Sequence, residues 1–268
     1  MEELLILKIG GSVITDKFSE MPSVNDKNLD SVSGEIALAY KKHMPLIIVH
    51  GAGSYGHVIV KRTGIDRGIE TDDQLAEFAE TQRLQNELNC IVTKRFIEKG
   101  IPAMPCQPSA SAVMASGKLL HMDTSAIEGL IRIGMVPVLY GVPAYDETQK
   151  CSILSGDEIA PYLATNLKAG KIIHATNVDG VFTSDPNIDP DARLIPEINS
   201  ENIKEVKNWL AGSTATDVTG GMFRKVSELL DIGIESQIVN ALTPGNVSKA
   251  ILGKEVTCTI IRAMSKPK

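Results

Sequence analysis

Aromatic side chains make up only 4% of this 268-residue chain, and Trp209 is its single tryptophan. Stacking platforms for single-stranded nucleic acid need more than that. Basic charge is not in excess either: 27 Lys and Arg stand against 33 Asp and Glu, interspersed, for a formal net charge of −6. Nucleic acid and anionic membrane surfaces both require a basic face, so neither is expected as the main partner. Cys90, Cys106, Cys151 and Cys258 are scattered with no C-x-x-C pair, which suggests neither a zinc knuckle nor a disulfide framework. No apolar run approaches the roughly 20 residues of a membrane span. The opening MEELLILKIGG carries two glutamates and reaches Lys8 too soon for a signal peptide. The Walker pattern G-x-x-x-x-G-K-[ST] is missing, and so is the protein-kinase pair H-R-D and D-F-G. What remains is a reduced, cytoplasmic, globular protein, long enough for one large α/β domain or two small lobes.

Short apolar runs rich in Ile and Val are present at Leu4 to Ile9, Leu46 to Val49, Val136 to Tyr140, Ile172 to Ala175 and Ile238 to Val239. Bounded by Gly or Pro, they read as strands buried on both faces. Helical spacing fills Leu29 to Lys42, Asp72 to Lys99, Asp157 to Leu167 and Thr219 to Ile232. The alternation predicts an α/β fold: an open, mainly parallel sheet covered by helices on both faces. Pro143 to Ser152 and Val181 to Leu194 are polar and turn-rich, and read as hairpins or excursions on the sheet. Ligands of such sheets bind beyond the carboxyl ends of the strands.

Chemistry-bearing residues gather at those ends. The first strand closes in Lys8-Ile9-Gly10-Gly11-Ser12, with Lys17 a turn later. Two glycines let the backbone approach an anion closely, and a lysine inside an apolar run needs a partner. A tight turn with two solvated lysines is the plainer alternative. The second strand closes in HGAGSYGH, His50 to His57. A strand entering a Gly-x-Gly turn and then a helix offers N–H groups to an anion, and His57 would project from the first turn of that helix. Gly51, Gly53 and Gly56 formally match G-x-G-x-x-G, yet no acidic residue follows at a second strand end, so this is no dinucleotide fingerprint. Ser155-Gly156-Asp157-Glu158 opens a helix with capping-box spacing, which would leave Asp157 a helix-dipole role alone. Asn177-Val178-Asp179-Gly180 is a turn or a ligand loop, and Gly220-Gly221 precedes a helix carrying Lys225.

Taken together, KIGGSVITDK, HGAGSYGH, QPSA (Gln107 to Ala110), SGDEI (Ser155 to Ile159), NVDGVFT (Asn177 to Thr183) and TDVTGGM (Thr216 to Met222) closely resemble the amino acid kinase superfamily. Within it, the chain is similar to the isopentenyl phosphate kinases of the archaeal mevalonate route, nearly end to end. His57 narrows the resemblance, since the isopentenyl phosphate and fosfomycin kinases carry that histidine and hold the acceptor phosphate or phosphonate with it. The resemblance implies ATP-dependent phosphorylation of isopentenyl phosphate with Mg²⁺, by a homodimer. It implies an acceptor-binding lobe over about residues 1–150 and an ATP-binding lobe over about 151–268.

Residue by residue, the resemblance implies that Lys8, Lys17, His57, Asp157 and Lys225 are catalytic. Lys8 and Lys225 would neutralise ATP phosphates, Lys17 would act on the transferring group, and Asp157 would aim the lysines. Ile9, Gly10, Gly11, Ser12, Gly53, Gly220 and Gly221 would border the phosphates, and Asn177, Asp179, Gly180 and Phe182 the nucleoside. Asn177 stands where the superfamily usually has Asp. Ala52, Gly53, His57 and Gly156 would contact the acceptor. On the helix from Asp72, Leu75, Phe78 and Ala79 cluster opposite Leu84, Leu88, Ile91 and Val92, and would form a wall of the prenyl pocket or else meet a second subunit or a loop folding over. Burying a five-carbon tail there would contribute about 3–4 kcal/mol. A kinase for another small phosphate or phosphonate, and a nucleotide-binding sensor without turnover, are the competing readings.

Overall fold

The computed structural model describes residues 3–16, 19, 21–186, 188–212 and 218–262. From the N-terminus, β1 (Leu5–Ile9) runs into a one-turn helix α1 (Gly11–Ile14), and α2 (Asp26–Ala39) leads to β2 (Leu46–His50). α3 (Ser54–Thr63) and the long α4 (Asp73–Glu98) follow, joined through a 3-10 turn at Ile65–Arg67, and then β3 (Ala103–Pro105). A hairpin of β4 (Ala112–Ala115) and β5 (Lys118–Met122), then α5 (Ser125–Arg132) and β6 (Val136–Tyr140), precede a second hairpin, β7 (Val142–Asp146) with β8 (Lys150–Leu154). The remainder comprises α6 (Gly156–Asn166), β9 (Lys171–Thr176), the small hairpin β10 (Val181–Phe182) with β11 (Leu194–Ile195), and β12 (Glu197–Ile198). It closes with α7 (Ile203–Gly212), α8 (Val218–Ile232), β13 (Ser236–Asn240), α9 (Asn246–Ile251) and β14 (Cys258–Ile261).

The main sheet has eight strands in the order β12-β14-β13-β9-β1-β2-β6-β3, and β13–β14 is its antiparallel pair. Every position of β1, β2 and β6 is buried, because helices cover both faces. Alternate residues therefore enter two different cores. Ile6, Ile47, Leu139, Ile172 and Ile238 lie in one, and Leu7, Ile9, Ile48, Ile173 and Val239 in the other. The five strands read from apolar runs are all present, within a residue or two of their expected ends. Both polar segments are hairpins, as expected. The strands β3, β12 and β14 were too short or too mixed to be read from pattern, as was the β4–β5 hairpin.

A second sheet, β5-β4-β7-β8, carries the two larger hairpins. Asp146 knots them together. Its carboxylate accepts from the N–H groups of Ser116 (3.1 Å), Gly117 (2.8 Å), Thr148 (2.8 Å) and Gln149 (3.1 Å) and from the Ser152 hydroxyl (2.8 Å). Burial alone would raise this carboxyl; the hydrogen bonds outweigh burial and pull it to about 2. Among the described residues, no helix is long and apolar enough to cross a membrane.

Candidate active site

Because β1 and β2 are neighbours in register, the two glycine turns leave the sheet side by side. Their backbones touch. A Cβ on Gly51 would stand 2.6 Å from the Gly11 nitrogen, and one on Gly11 would run into Gly53. Gly53 has φ +52, and a side chain there would strike Thr15. Thr15, which lies in the KIGGSVITDK motif but was given no role there, ties the turns together: its hydroxyl donates to Gly11 O (2.8 Å) and accepts from Ser54 N–H (3.1 Å). Gly10 N–H is committed to Ala175 O at 2.8 Å, so Gly10 does not offer a donor, and a Cβ there would meet nothing closer than 3.5 Å. The N–H groups of Gly11 and Ser12 open a helix and have no acceptor within it.

Lys8 lies on the β1 face that meets α6. Its Nζ is 2.7 Å from Asp157 Oδ1, and Lys225 Nζ bonds the same oxygen. Both lysines are more than nine-tenths buried. Gly156 makes the approach possible, since a Cβ there would be 3.2 Å from His50 O and 3.5 Å from Lys8 Cε. Burial would raise the Asp157 carboxyl, but Lys8 and then Lys225 overcome it and hold the group well below the usual carboxylate range. Burial, reinforced by Lys8, lowers the Lys225 ammonium to about 8 despite the attraction of Asp157. Asp157 thus does more than favour a helix dipole. Ser155 does cap α6, accepting from Glu158 N–H at 3.2 Å, whereas the Glu158 side chain turns away to accept from Leu119 N–H at 2.6 Å. The spacing alone suggested a reciprocal box; half of one forms.

His174 of β9 was missed by sequence reading. It is the register partner of Lys8, and its Nδ1 lies 3.6 Å from Asp157 Oδ1. A histidine inside a buried strand carries no local signal, and only the strand order reveals it.

Of the residues that the resemblance gives to the acceptor, His57 is exposed in the first turn of α3, and Ala52 is half-buried before it. Val60, Phe78 and Ile153 are half-buried around a small separate core of Ile65, Ile69 and Cys151. Leu75, 53% exposed, and the exposed Ala79 do not join it. At the opposite end of the site, Asp179 accepts from Asn240 Nδ2 at 3.0 Å. Gly180 has φ +154 and packs on Thr259, whose Oγ1 accepts from Val181 N–H at 2.7 Å. Asn177 is exposed and Phe182 half-buried on this loop. Gly220 and Gly221 lie within the first turn of α8 rather than ahead of it. Lys17 falls outside the described residues, as do Thr216 and Asp217. Among the described residues, no group of three or more His, Cys, Asp or Glu could hold a metal ion.

The profile of the amino acid kinase family matches residues 3–240. An isopentenyl phosphate kinase of Methanothermobacter thermautotrophicus is 42% identical over 267 residues, covering 96% of this chain and 98% of that one. The isopentenyl phosphate kinase of Methanocaldococcus jannaschii is 37% identical over 260 residues, covering 94% and 96%. Among solved structures, an isopentenyl phosphate kinase superimposes with a TM-score of 0.84 at 38% identity, covering 96% of this chain and 99% of the other.

Proposed function

This chain belongs to the amino acid kinase family, and we propose that it transfers the γ-phosphoryl group of ATP to isopentenyl phosphate, forming isopentenyl diphosphate for isoprenoid biosynthesis. The observation that carries the chemistry is the pair of buried lysines, Lys8 and Lys225, held on one carboxylate beside two interlocked glycine turns. Buried ammonium groups aimed by Asp157 suit a polyphosphate. The choice of acceptor rests on the full-length likeness to isopentenyl phosphate kinases and on His57.

The acceptor is already a phosphate monoester, so its attacking oxygen needs little deprotonation near neutral pH. An acceptor oxygen forms the new P–O bond to the γ-phosphorus as the bond to the β-phosphate bridging oxygen breaks, and ADP leaves. Catalysis reduces to bringing two anions together, aligning them and stabilising developing charge. Fixed lysines and backbone N–H groups perform that task without a general base. His57 holds the acceptor phosphate, with Ala52, Gly53 and Gly156 beside it. Lys17 stabilises the transferring group. Phe78 belongs to the wall around the prenyl tail, and Asp179, Gly180 and Phe182 border the nucleoside. The N-terminal part, to about residue 150, thus serves the acceptor and the remainder serves ATP. Lysines and N–H groups match phosphate oxygens, and Asp157 is already engaged, so Mg²⁺ would come with the nucleotide and neutralise its charge. The assembly is a cytoplasmic homodimer, and exposed Met104 on the edge strand β3 together with Ile97 at the end of α4 supports an interface there.

A coupled ADP-release assay with Mg²⁺ and ATP tests the assignment. Isopentenyl phosphate is expected to give far higher kcat/KM than fosfomycin, glutamate or UMP. Preferential turnover of one of those three overturns the acceptor and keeps the kinase. Absence of turnover with every phosphate overturns both and leaves a nucleotide-binding protein.

A further inference from the structure

His174 occupies a place where a hydrocarbon side chain would suffice. Its ring is wholly buried between Lys8 of β1 and Ile238 of β13. Among the described residues neither ring nitrogen has a hydrogen-bond partner. Asp157 Oδ1 stands 3.6 Å from Nδ1, beyond a formed hydrogen bond but within a small shift of one. Native cores rarely leave buried polar atoms in this condition, and an exception calls for a reason.

Asp157 supplies the reason. Its Oδ1 satisfies Lys8 and Lys225 together. A nucleotide triphosphate would draw both ammonium groups toward its own oxygens, which carry more negative charge. The carboxylate, whose side chain is 31% exposed, would then lose both ammonium partners on the side that faces the buried lysines, where an unpaired charge is unfavourable. Resting on the kinase reading above, we propose that His174 is a positioning residue whose Nδ1–H closes onto Asp157 as the two lysines turn to the nucleotide phosphates. The carboxylate then stays in place with a neutral donor, and the lysines are free to change partners.

The surroundings fit a neutral ring. Burial lowers His174 to about 4, more than Asp157 raises it, and Lys225 and Lys8 push in the same direction as burial. A charged ring would be a third cation beside two lysines. The groups that face it are Lys8 from β1, Asp157 from α6 and Lys225 from α8, while β13 contributes the apolar Ile238. Donation from a neutral imidazole therefore holds across the working pH range, with no proton transferred.

His174→Leu and His174→Asn separate this role from packing. Asparagine places an amide N–H close to where Nδ1–H lies; leucine removes the donor and keeps most of the volume. We expect His174→Leu to keep or raise the Tm of the ligand-free protein, because it removes unpartnered polar atoms. The same variant should bind a non-hydrolysable ATP analogue about tenfold more weakly, with the KM for isopentenyl phosphate unchanged. His174→Asn should recover analogue affinity to within about threefold of wild type. In ¹⁵N-labelled wild type, the His174 ring N–H proton should move downfield when the analogue binds. Wild-type affinity in His174→Leu overturns the proposal. So does a parallel loss of Tm and affinity that asparagine fails to rescue, which would mark a packing role, and so does a ring N–H signal that stays in place. If wild type itself does not bind the analogue, the kinase reading has failed, and that outcome is distinct from the others.

Discussion

At the scale of single residues, the site is a problem in sharing one carboxylate between two lysines. Lys225 is lowered by burial to about 8 against an ordinary value near 10.4. The sign follows directly. Bound phosphates favour the ammonium form, so ATP affinity is fully present below about pH 8 and is lost as pH rises through that value. The KM for ATP should stay flat up to about pH 8 and then climb, whereas Lys225→Gln should bind ATP weakly at every pH, without the bend. Initial rates measured across pH 6.5 to 9.5 check this, and a flat wild-type profile would show that Lys225 is not the titrating group. The acceptor monoester does not confuse the result, since its second ionisation lies near 6. Lys8, Asp157 and Lys225 were each legible as suspects from their turns. Their sharing of one oxygen was not, because Asp157 and Lys225 are 68 residues apart and no local pattern encodes that distance.

Among the elements, α4 shows how far periodicity reaches. Leu88 and Val92 are fully buried, and Leu84 and Ile91 pack beside them, as the helical spacing indicated. The opposite apolar group divides: Phe78 joins the small core under the α3–α4 connection, while Leu75 faces solvent. Spacing also hid a buried polar stripe of Thr81, Gln85, Asn89 and Thr93. Polar residues on an inward face can be read only once their partners are known, and here Asn89 Oδ1 lies 3.1 Å from His50 Nε2. His50 in turn stacks on Tyr140 with ring centroids 5.7 Å apart. If Phe78 walls the prenyl tail, Phe78→Ala opens space there. The kcat/KM ratio of geranyl phosphate to isopentenyl phosphate should then rise at least about tenfold, or about 1.4 kcal/mol. Leu88→Ala, in the other core, should cost about 2–5 kcal/mol of stability and leave the ratio alone. An unchanged ratio in both variants would remove Phe78 from the pocket.

For the whole molecule, the functional division proposed near residue 150 is not a folding boundary. β1 pairs with β2 on one side and with β9 on the other, five residues deep each way. Glu35 of α2 accepts from the N–H groups of Gly245 (2.7 Å), Val247 (2.9 Å) and Ser248 (3.1 Å) at the start of α9. A fragment of residues 1–150 would expose β1 as an unpaired edge and strip the face that α6 covers. It should show no cooperative unfolding, while the full chain should unfold in one calorimetric transition that ATP moves upward. A fragment with its own sharp transition would refute this. The sequence by itself determined the central strands β1, β2, β6, β9 and β13 and the helices α2, α4, α6 and α8, where glycine turns end the first two strands, and which family the chain resembles. Those properties are local: apolar period, absence of a Cβ, a run of motifs. Only the tertiary structure decided that β9 lies beside β1, that one carboxylate serves both lysines, and that His174 stands behind them. Neighbours in a sheet are chosen by the joint packing of every helix against it, and no short stretch of chain carries that information.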